Sequence, residues 1–272
     1  MKRRAKLFRK KKKIGLALGS GAARGLAHIG VLEVLEKEGI PIDLIAGTSA
    51  GAAIGALYAQ GSDAHRIGAL ALEVGWKRLA PLTDLTLPKT GFIQGRKLKD
   101  FMKRTMGDVN FADLKIPLAC VATDIMTGEE VVINEGSVLE AVRASISIPV
   151  IFTVVKWRNR CLVDGGLVNP VPVSVLKQMG ADIIIAVNVI PEPGVRARRG
   201  GEFKKLNIIN VIMQSIYIGS YLLIESGLKG ADIVIEPQVA HIGVGDFHQA
   251  QKLILLGAQA ARDALPEIKR RC

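Results

Sequence analysis

The pentapeptide Gly47-Thr48-Ser49-Ala50-Gly51 constrains the fold of this chain more than any other stretch. It follows the apolar run Ile42–Ala46 and opens a small-residue helical pattern from Ala50 to Gln60. Gly-x-Ser-x-Gly between a strand and a helix forms a sharp turn. The turn lifts the serine oxygen clear of the backbone, at a helix N-terminus whose amides favour negative charge. Gly47 and Gly51 flank it because side chains there would crowd the turned backbone. Chance alone gives about 0.1 such pentapeptides in a chain of this length and glycine content, so the context has to decide. Upstream, Ile14–Leu18 reads as a buried strand, Gly19-Ser20-Gly21-Ala22-Ala23-Arg24-Gly25 as a tight loop, and the apolar positions from Leu26 to Leu35 as a helix stopped by Gly39. Strand, glycine loop, helix, strand is the βαβ signature of a parallel sheet, and the fold class is α/β.

Further along, the patterns predict helices over residues 63–75, 95–105, 138–145, 171–179 and 247–265. They predict strands over 116–123, 130–133, 151–155, 161–163, 182–189 and 231–235. The segment 80–95, rich in Pro, Thr and Leu, reads as a surface loop, either covering the site or merely connecting, and 191–201 as a charged loop. Residues 206–224 hold no charge, which is long enough for a membrane span. Asn207, Asn210, Gln214 and Ser215 nevertheless form a narrow polar stripe at helical spacing. A buried or lid-like helix is therefore favoured over a lipid-contacting surface helix, and a span comes last. The reading is one catalytic domain over 14–272 behind a disordered basic arm, 1–13.

That arm carries nine of the Lys and Arg residues and no acid, so of the net charge of +12 only +3 remains for the rest of the chain. The arm is either a plain solvated tail or a contact for anionic membrane, which attracts such clusters by about 1 kcal/mol per basic residue. Nucleic acid is not an expected partner, because no basic face with interleaved aromatics follows and aromatics make up only 4%. Cys120, Cys161 and Cys272 are odd in number and widely spaced. This argues against a disulfide framework or a zinc site and fits a cytoplasmic protein, with peripheral contact on the inner membrane face as the membrane alternative. The run Ile14–Leu18 is too short for a signal peptide. No cluster has metal-ligand spacing, so neither metal nor cofactor is expected. The sequence sets no oligomeric state.

A serine nucleophile needs a base and donors for an oxyanion. The loop Gly19–Gly25 opens a helix, so its early N–H groups lack intrahelical partners, and Arg24 either faces the oxyanion or ties the loop down. A dinucleotide fingerprint fails because Arg24 occupies the position that needs a small residue, and a Walker loop fails for want of Gly-Lys-Ser/Thr. Of the histidines, His28 and His65 lie in helices, and His241 and His248 have no strand-end context. Asp164, where the apolar run Leu162-Val163 meets Gly165-Gly166, is the stronger base candidate beside the plain-turn reading.

Together the three motifs resemble the patatin-like phospholipase family, in particular its small bacterial members near the neuropathy-target-esterase branch. The resemblance runs from about Ile14 to Pro237. It includes Gly-Leu-Ala-His-Ile-Gly-Val-Leu after the loop, Ala-Thr-Asp-Ile-Met-Thr-Gly-Glu at 122–129, Arg-Ala-Ser-Ile-Ser-Ile-Pro at 143–149 and Asp-Gly-Gly-Leu-Val-Asn-Pro-Val-Pro at 164–172. It implies a three-layer α/β/α fold with a mainly parallel central sheet. It also implies a Ser49–Asp164 dyad without histidine, and an oxyanion hole from Ser20, Gly21 and Ala22 beside Arg24. The implied substrate is a lipid acyl ester, a phospholipid or lysophospholipid. Acyl transfer through the same dyad, or an idle regulatory protein on this fold, are the alternatives. Ser20 and Ala22 stand where glycine is common in the family, which narrows the loop's freedom and leaves its N–H donors in place.

Overall fold

The computed structural model describes residues 12–79, 91–192, 194 and 208–272; what lies outside them includes most of the basic arm, residues 80–90 of the 80–95 loop and most of the 191–201 loop. The chain opens with β1 (Ile14–Leu18), a 3-10 turn at Ala22–Leu26 and α1 (Ala27–Lys37). β2 (Leu44–Thr48) and α2 (Ala50–Ala59) follow, with Ser49 alone between them. Next come α3 (Ala64–Leu79), β3 (Gly91–Ile93), α4 (Arg96–Met106), β4 (Leu118–Asp124), β5 (Glu130–Ile133) and α5 (Val138–Ser145). Three short strands follow, β6 (Val150–Phe152), β7 (Val155–Trp157) and β8 (Arg160–Asp164), then α6 (Val173–Gln178) and β9 (Ile183–Val187). α7 (Ile208–Leu228), β10 (Ile233–Ile235) and α8 (Ala250–Arg271) complete it.

The main sheet has the order β10-β9-β1-β2-β4-β8-β7, with β5 also on β4. β10, β9, β1, β2 and β4 are parallel; β5, β8 and β7 join antiparallel. All five residues of β1, β2 and β9 are buried, as expected for parallel strands covered on both faces. Alternation sorts their side chains into two cores. Leu16, Leu18, Ile45 and Ile185 face α1, α2, α5 and α8, while Ala17, Ala46, Val121 and Ala186 face α6 and the inner side of α7. The architecture is therefore the three-layer α/β/α of the reading above, with a mixed but mainly parallel sheet.

Three elements differ from the sequence expectation. β2 starts two residues later than Ile42 and runs up to Thr48. Asp43 is held at the base of the sheet, its N–H donating to the Ile14 carbonyl and its carboxylate accepting from the Ile14 N–H. The strand expected over 151–155 is split at Thr153–Val154, and Val150, which opens the first piece after Pro149, takes a positive φ of 69°. β6 leaves the main sheet and pairs with β3, a strand hidden in the loop reading of 80–95. The last helix starts later and runs longer, from Ala250 to Arg271 with a 3-10 turn before it.

α1 and α8 pack backbone to backbone. A Cβ on Gly30 would stand 1.9 Å from the Ile254 carbonyl oxygen, and one on Gly257 1.8 Å from that of Ala27. Overpacking typically costs 1–3 kcal/mol, so Gly257→Ala is expected to lower the unfolding free energy by about that much. Gly219 on α7 has open space around it. Gly219→Ala is expected to raise stability by up to about 1 kcal/mol through helix propensity alone. Urea unfolding of the two variants measures this opposite pair of shifts.

Candidate active site

The elbow is built by close packing at the carboxyl ends of β1 and β2. A Cβ on Gly51 would lie 2.0 Å from the Leu18 carbonyl oxygen, and one on Gly47 2.6 Å from Ala52 N, so neither position accepts a side chain. Between them Ser49 adopts φ 54°, ψ −119°, a conformation that costs a non-glycine residue about 1–3 kcal/mol and persists only where surroundings impose it. The imposition is visible. The Ser49 N–H donates to Ser145 Oγ at 2.8 Å, and Ser145 Oγ donates to the Val121 carbonyl at 2.6 Å. Thr48 Oγ1 donates to the Asn169 carbonyl at 2.8 Å.

Ser49 Oγ donates to Asp164 Oδ2 at 2.5 Å. Asp164 Oδ1 accepts from the Gly166 N–H at 2.8 Å, and both side chains are buried. The backbone of Asp164 is fixed on both sides: its N–H donates to the Ser147 carbonyl, and its carbonyl accepts from Thr123 Oγ1 at 2.9 Å. Gly165 lies against β4, where a Cβ would stand 2.3 Å from the Val121 carbonyl oxygen. Burial raises the Asp164 pKa to about 6, against the opposing pull of the hydrogen bonds from Ser49 and Gly166. A carboxylate in contact with a hydroxyl and poised near neutral pH can accept its proton.

The glycine loop sits beside this pair. A Cβ on Gly25 would be 2.4 Å from Ala50 Cβ, so the loop leans on the elbow itself. Its N–H groups divide into two sets. Those of Gly19, Ser20, Ala23 and Arg24 donate to the carbonyls of Val187, Pro170, Val244 and Gly21. Among the described residues, those of Gly21 and Ala22 donate to nothing. Of the four residues the sequence grouped here, Ser20 thus contributes no free amide, and Arg24 Nε is anchored on the Ile242 carbonyl at 2.8 Å. Ala22 has a positive φ of 49°, a second strained residue in the site.

His28 is fully buried under the same loop, its Nε2 donating to the Gly19 carbonyl at 2.8 Å. Burial lowers its pKa to about 4, so at neutral pH it is an uncharged prop for the loop. His241 and His248 are exposed. Among the described residues no group of three or more His, Cys, Asp or Glu could hold a metal.

Several residues here had no individual signal in the sequence. Ser145 and Ser147 lie in the Arg-Ala-Ser-Ile-Ser-Ile-Pro segment, whose register was visible but whose partners, 96 residues from Ser145 in the case of Ser49, were not. α7 turns Met213, Tyr217, Ser220 and Ile224 inward; Met213 and Tyr217 line the cavity beside Asp164, and Ser220 Oγ donates to the Gly166 carbonyl at 2.9 Å. The buried or lid-like reading of this segment describes that inner seam. The opposite side is exposed, with Gln214 and Ser215 from the polar stripe beside Val211, Ile218 and Leu222; Asn207 and the Asn210 side chain lie outside the description.

The family model for patatin-like phospholipase matches residues 16–177. An uncharacterized NTE family protein of Mycobacterium tuberculosis is 36% identical over 177 residues, covering 65% of this chain and 49% of that protein. Lysophospholipase NTE1 of Pyricularia oryzae is 36% identical over 182 residues, covering 65% of this chain and 12% of that one. The chain therefore spans about half the length of the first relative and a small part of the second. Among solved structures, VipD from Legionella pneumophila shares the fold with a TM-score of 0.52 at 13% identity, over 94% of this chain and 67% of VipD. By its family model and its relatives, this chain belongs to the patatin-like phospholipase family.

Proposed function

We propose that the protein is a serine lipid acyl hydrolase, cleaving carboxylic esters of phospholipids or lysophospholipids through Ser49 and Asp164. The observation that carries this is the 2.5 Å Ser49–Asp164 contact, buried beside two uncommitted amides. Ser49 Oγ attacks the ester carbonyl as its proton passes to Asp164 Oδ2. The Gly21 and Ala22 amides face the developing oxyanion, while the Ser20 amide and Arg24 hold the loop that presents them. Collapse of the intermediate breaks the C–O bond; Asp164 returns the proton to the departing alcohol and then takes one from the water that releases the fatty acid. Similarity to a lysophospholipase supports a lipid-ester substrate. Incubation with a competing alcohol or lysolipid separates hydrolysis from acyl transfer, since transfer yields a new ester in place of free fatty acid.

The pH dependence follows from the Asp164 shift. Acylation needs the carboxylate ionised, so kcat/KM is expected to rise through about pH 6 and level off above it. Ser49→Ala and Asp164→Asn should each lower kcat by about 10³-fold or more, the scale on which loss of a nucleophile or its base acts. Asp164→Asn should also be more stable than the parent at pH 8, by up to about 3 kcal/mol, because it removes a buried charge. Titrimetric fatty-acid release and thermal unfolding supply both readouts; a Ser49→Ala protein as fast as the parent would refute the proposal.

Docking at the cytoplasmic face of an anionic membrane completes the proposal. Residues 2–11 carry seven Lys and Arg. Ile218 and Leu222 on α7, and Ile125 and Met126 just beyond the carboxyl end of β4, are exposed apolar residues. The window Val211–Leu228 is also long and apolar enough to cross a membrane by length and composition, although its inner seam packs on the domain. Deleting residues 2–11 leaves Lys13, whose backbone pairs with Asp182, in place. The deletion is expected to weaken binding to phosphatidylserine vesicles at least tenfold at low salt and to leave binding to neutral vesicles unchanged, as vesicle sedimentation would record.

A further inference from the structure

A small apolar cavity lies between α7 and the dyad, lined by Ser20, Ile148, Pro149, Asp164, Leu167 and Tyr217, among others. Among the described residues, two buried polar atoms near the dyad have no hydrogen-bond partner: His28 Nδ1, beneath the glycine loop, and the Tyr217 hydroxyl, beside this cavity. The Tyr217 hydroxyl is buried. Its surroundings are not those of a stray core tyrosine. The phenol is close enough to Arg24 and Asp164 for both charges to act on it, while burial keeps it protonated. A buried O–H is normally satisfied, and one left open in the wall of a reaction cavity is open to what enters that cavity.

We infer that Tyr217 is a substrate-contacting residue whose O–H donates a hydrogen bond to the alcohol-side oxygen of the scissile ester. The inference rests on the hydrolase reading above. The placement selects the leaving oxygen over the carbonyl oxygen. The carbonyl side is served by the Gly21 and Ala22 amides, whereas Tyr217 shares its cavity wall with Asp164, the group that returns the proton to the departing alcohol. Tyr217 keeps its own proton throughout. As the C–O bond breaks, negative charge grows on the alcohol oxygen, the phenol hydrogen bond strengthens, and the proton on Asp164 Oδ2 completes the alcohol. Deacylation is the reverse geometry, with the attacking water occupying the position the alcohol has left and the same phenol facing its oxygen.

Such a donor matters in proportion to the charge on the leaving oxygen, which gives it a signature that a packing role lacks. For a glycerol ester the departing alkoxide is strongly basic; for a 4-nitrophenyl ester it is already stabilised. The experiment compares wild type, Tyr217→Phe and Ser49→Ala on palmitoyl lysophosphatidylcholine and on 4-nitrophenyl palmitate. Tyr217→Phe is expected to lose about tenfold or more in kcat/KM, which reports acylation, on the lysophospholipid and less than about threefold in kcat/KM on the aryl ester. Its thermal midpoint should be equal to or above that of the parent, because the variant removes an unpaired buried hydroxyl and keeps the ring. Equal losses on both esters, no loss on the lysophospholipid, or a lowered midpoint would overturn the assignment while leaving the hydrolase reading intact. A folded wild type that cleaves neither ester would overturn the hydrolase reading, and this inference with it.

Discussion

The whole site depends on the pairing register of one strand. β4 holds β5 along one edge, from Cys120 to Thr123. Its other edge is shared: β2 pairs with it as far as Thr48 opposite Val121, and β8 arrives antiparallel with Asp164 opposite Ala122. Two strands that meet end to end on consecutive rungs bring the residue after Thr48 next to Asp164, although 115 positions separate Ser49 from Asp164 in the chain. A one-residue slip of β8 would turn the Asp164 side chain to the opposite face of the sheet. Thr123 Oγ1, bonded to the Asp164 carbonyl, and Ser145, bridging the Ser49 amide to the Val121 carbonyl, act as pins on that register.

This explains what could and could not be read from the residues alone. The βαβ unit was legible because a parallel strand buried on both faces is a continuous apolar run, and because Gly47 and Gly51 mark a turn that tolerates nothing larger. Asp164 was legible as a strand end, and the resemblance to a known family gave it a role. The tyrosine was not: Tyr217 sits among Ile216, Ile218 and Leu222 in an uncharged segment, and nothing in that pattern says which residues turn inward. The commitment of the Ser20 amide to Pro170 was equally hidden, since it depends on where a loop 150 residues away passes. The split of the strand expected over 151–155 reflects two different pairings, β6 with β3 and β7 with β8, that no side-chain periodicity encodes.

α7 joins the two halves of the proposed function. On its inner side Met213, Ile216 and Tyr217 line the cavity beside Asp164, and Ser220 bonds the Gly166 carbonyl. Its outer side exposes Val211, Ile218, Leu222 and Leu223, a density of apolar surface that a solvated helix does not need. In the proposed function a lipid ester leaves a bilayer or micelle to reach Ser49, and the outer apolar residues of α7, interleaved with the exposed Gln214 and Ser215, are where the lipid surface would meet the protein. On this view the lack of charge in the segment is required twice, once by the core and once by the lipid, which is why its composition matched a membrane span while its packing is that of a cover.

The site also concentrates unfavourable terms. Ser49 and Ala22 hold left-handed backbone, Asp164 is buried with a raised pKa, and among the described residues one ring nitrogen of the neutral His28 and the Tyr217 hydroxyl have no partner. The two titrating groups act in opposite directions. Asp164, with its pKa raised, disfavours the fold increasingly as pH rises from about 4 through 6, and His28, with its pKa lowered, as pH falls from 6.5 toward 4. Each shift corresponds to roughly 3 kcal/mol at full extent, a large fraction of the 5–15 kcal/mol that holds a typical domain. The compensation lies elsewhere, in the fully buried β1, β2 and β9 and in the backbone contact of α1 with α8. Costs scattered through the fold would describe an imperfectly packed protein. Costs gathered around one serine and a carboxylate already in contact describe a site held ready for a substrate that will satisfy it.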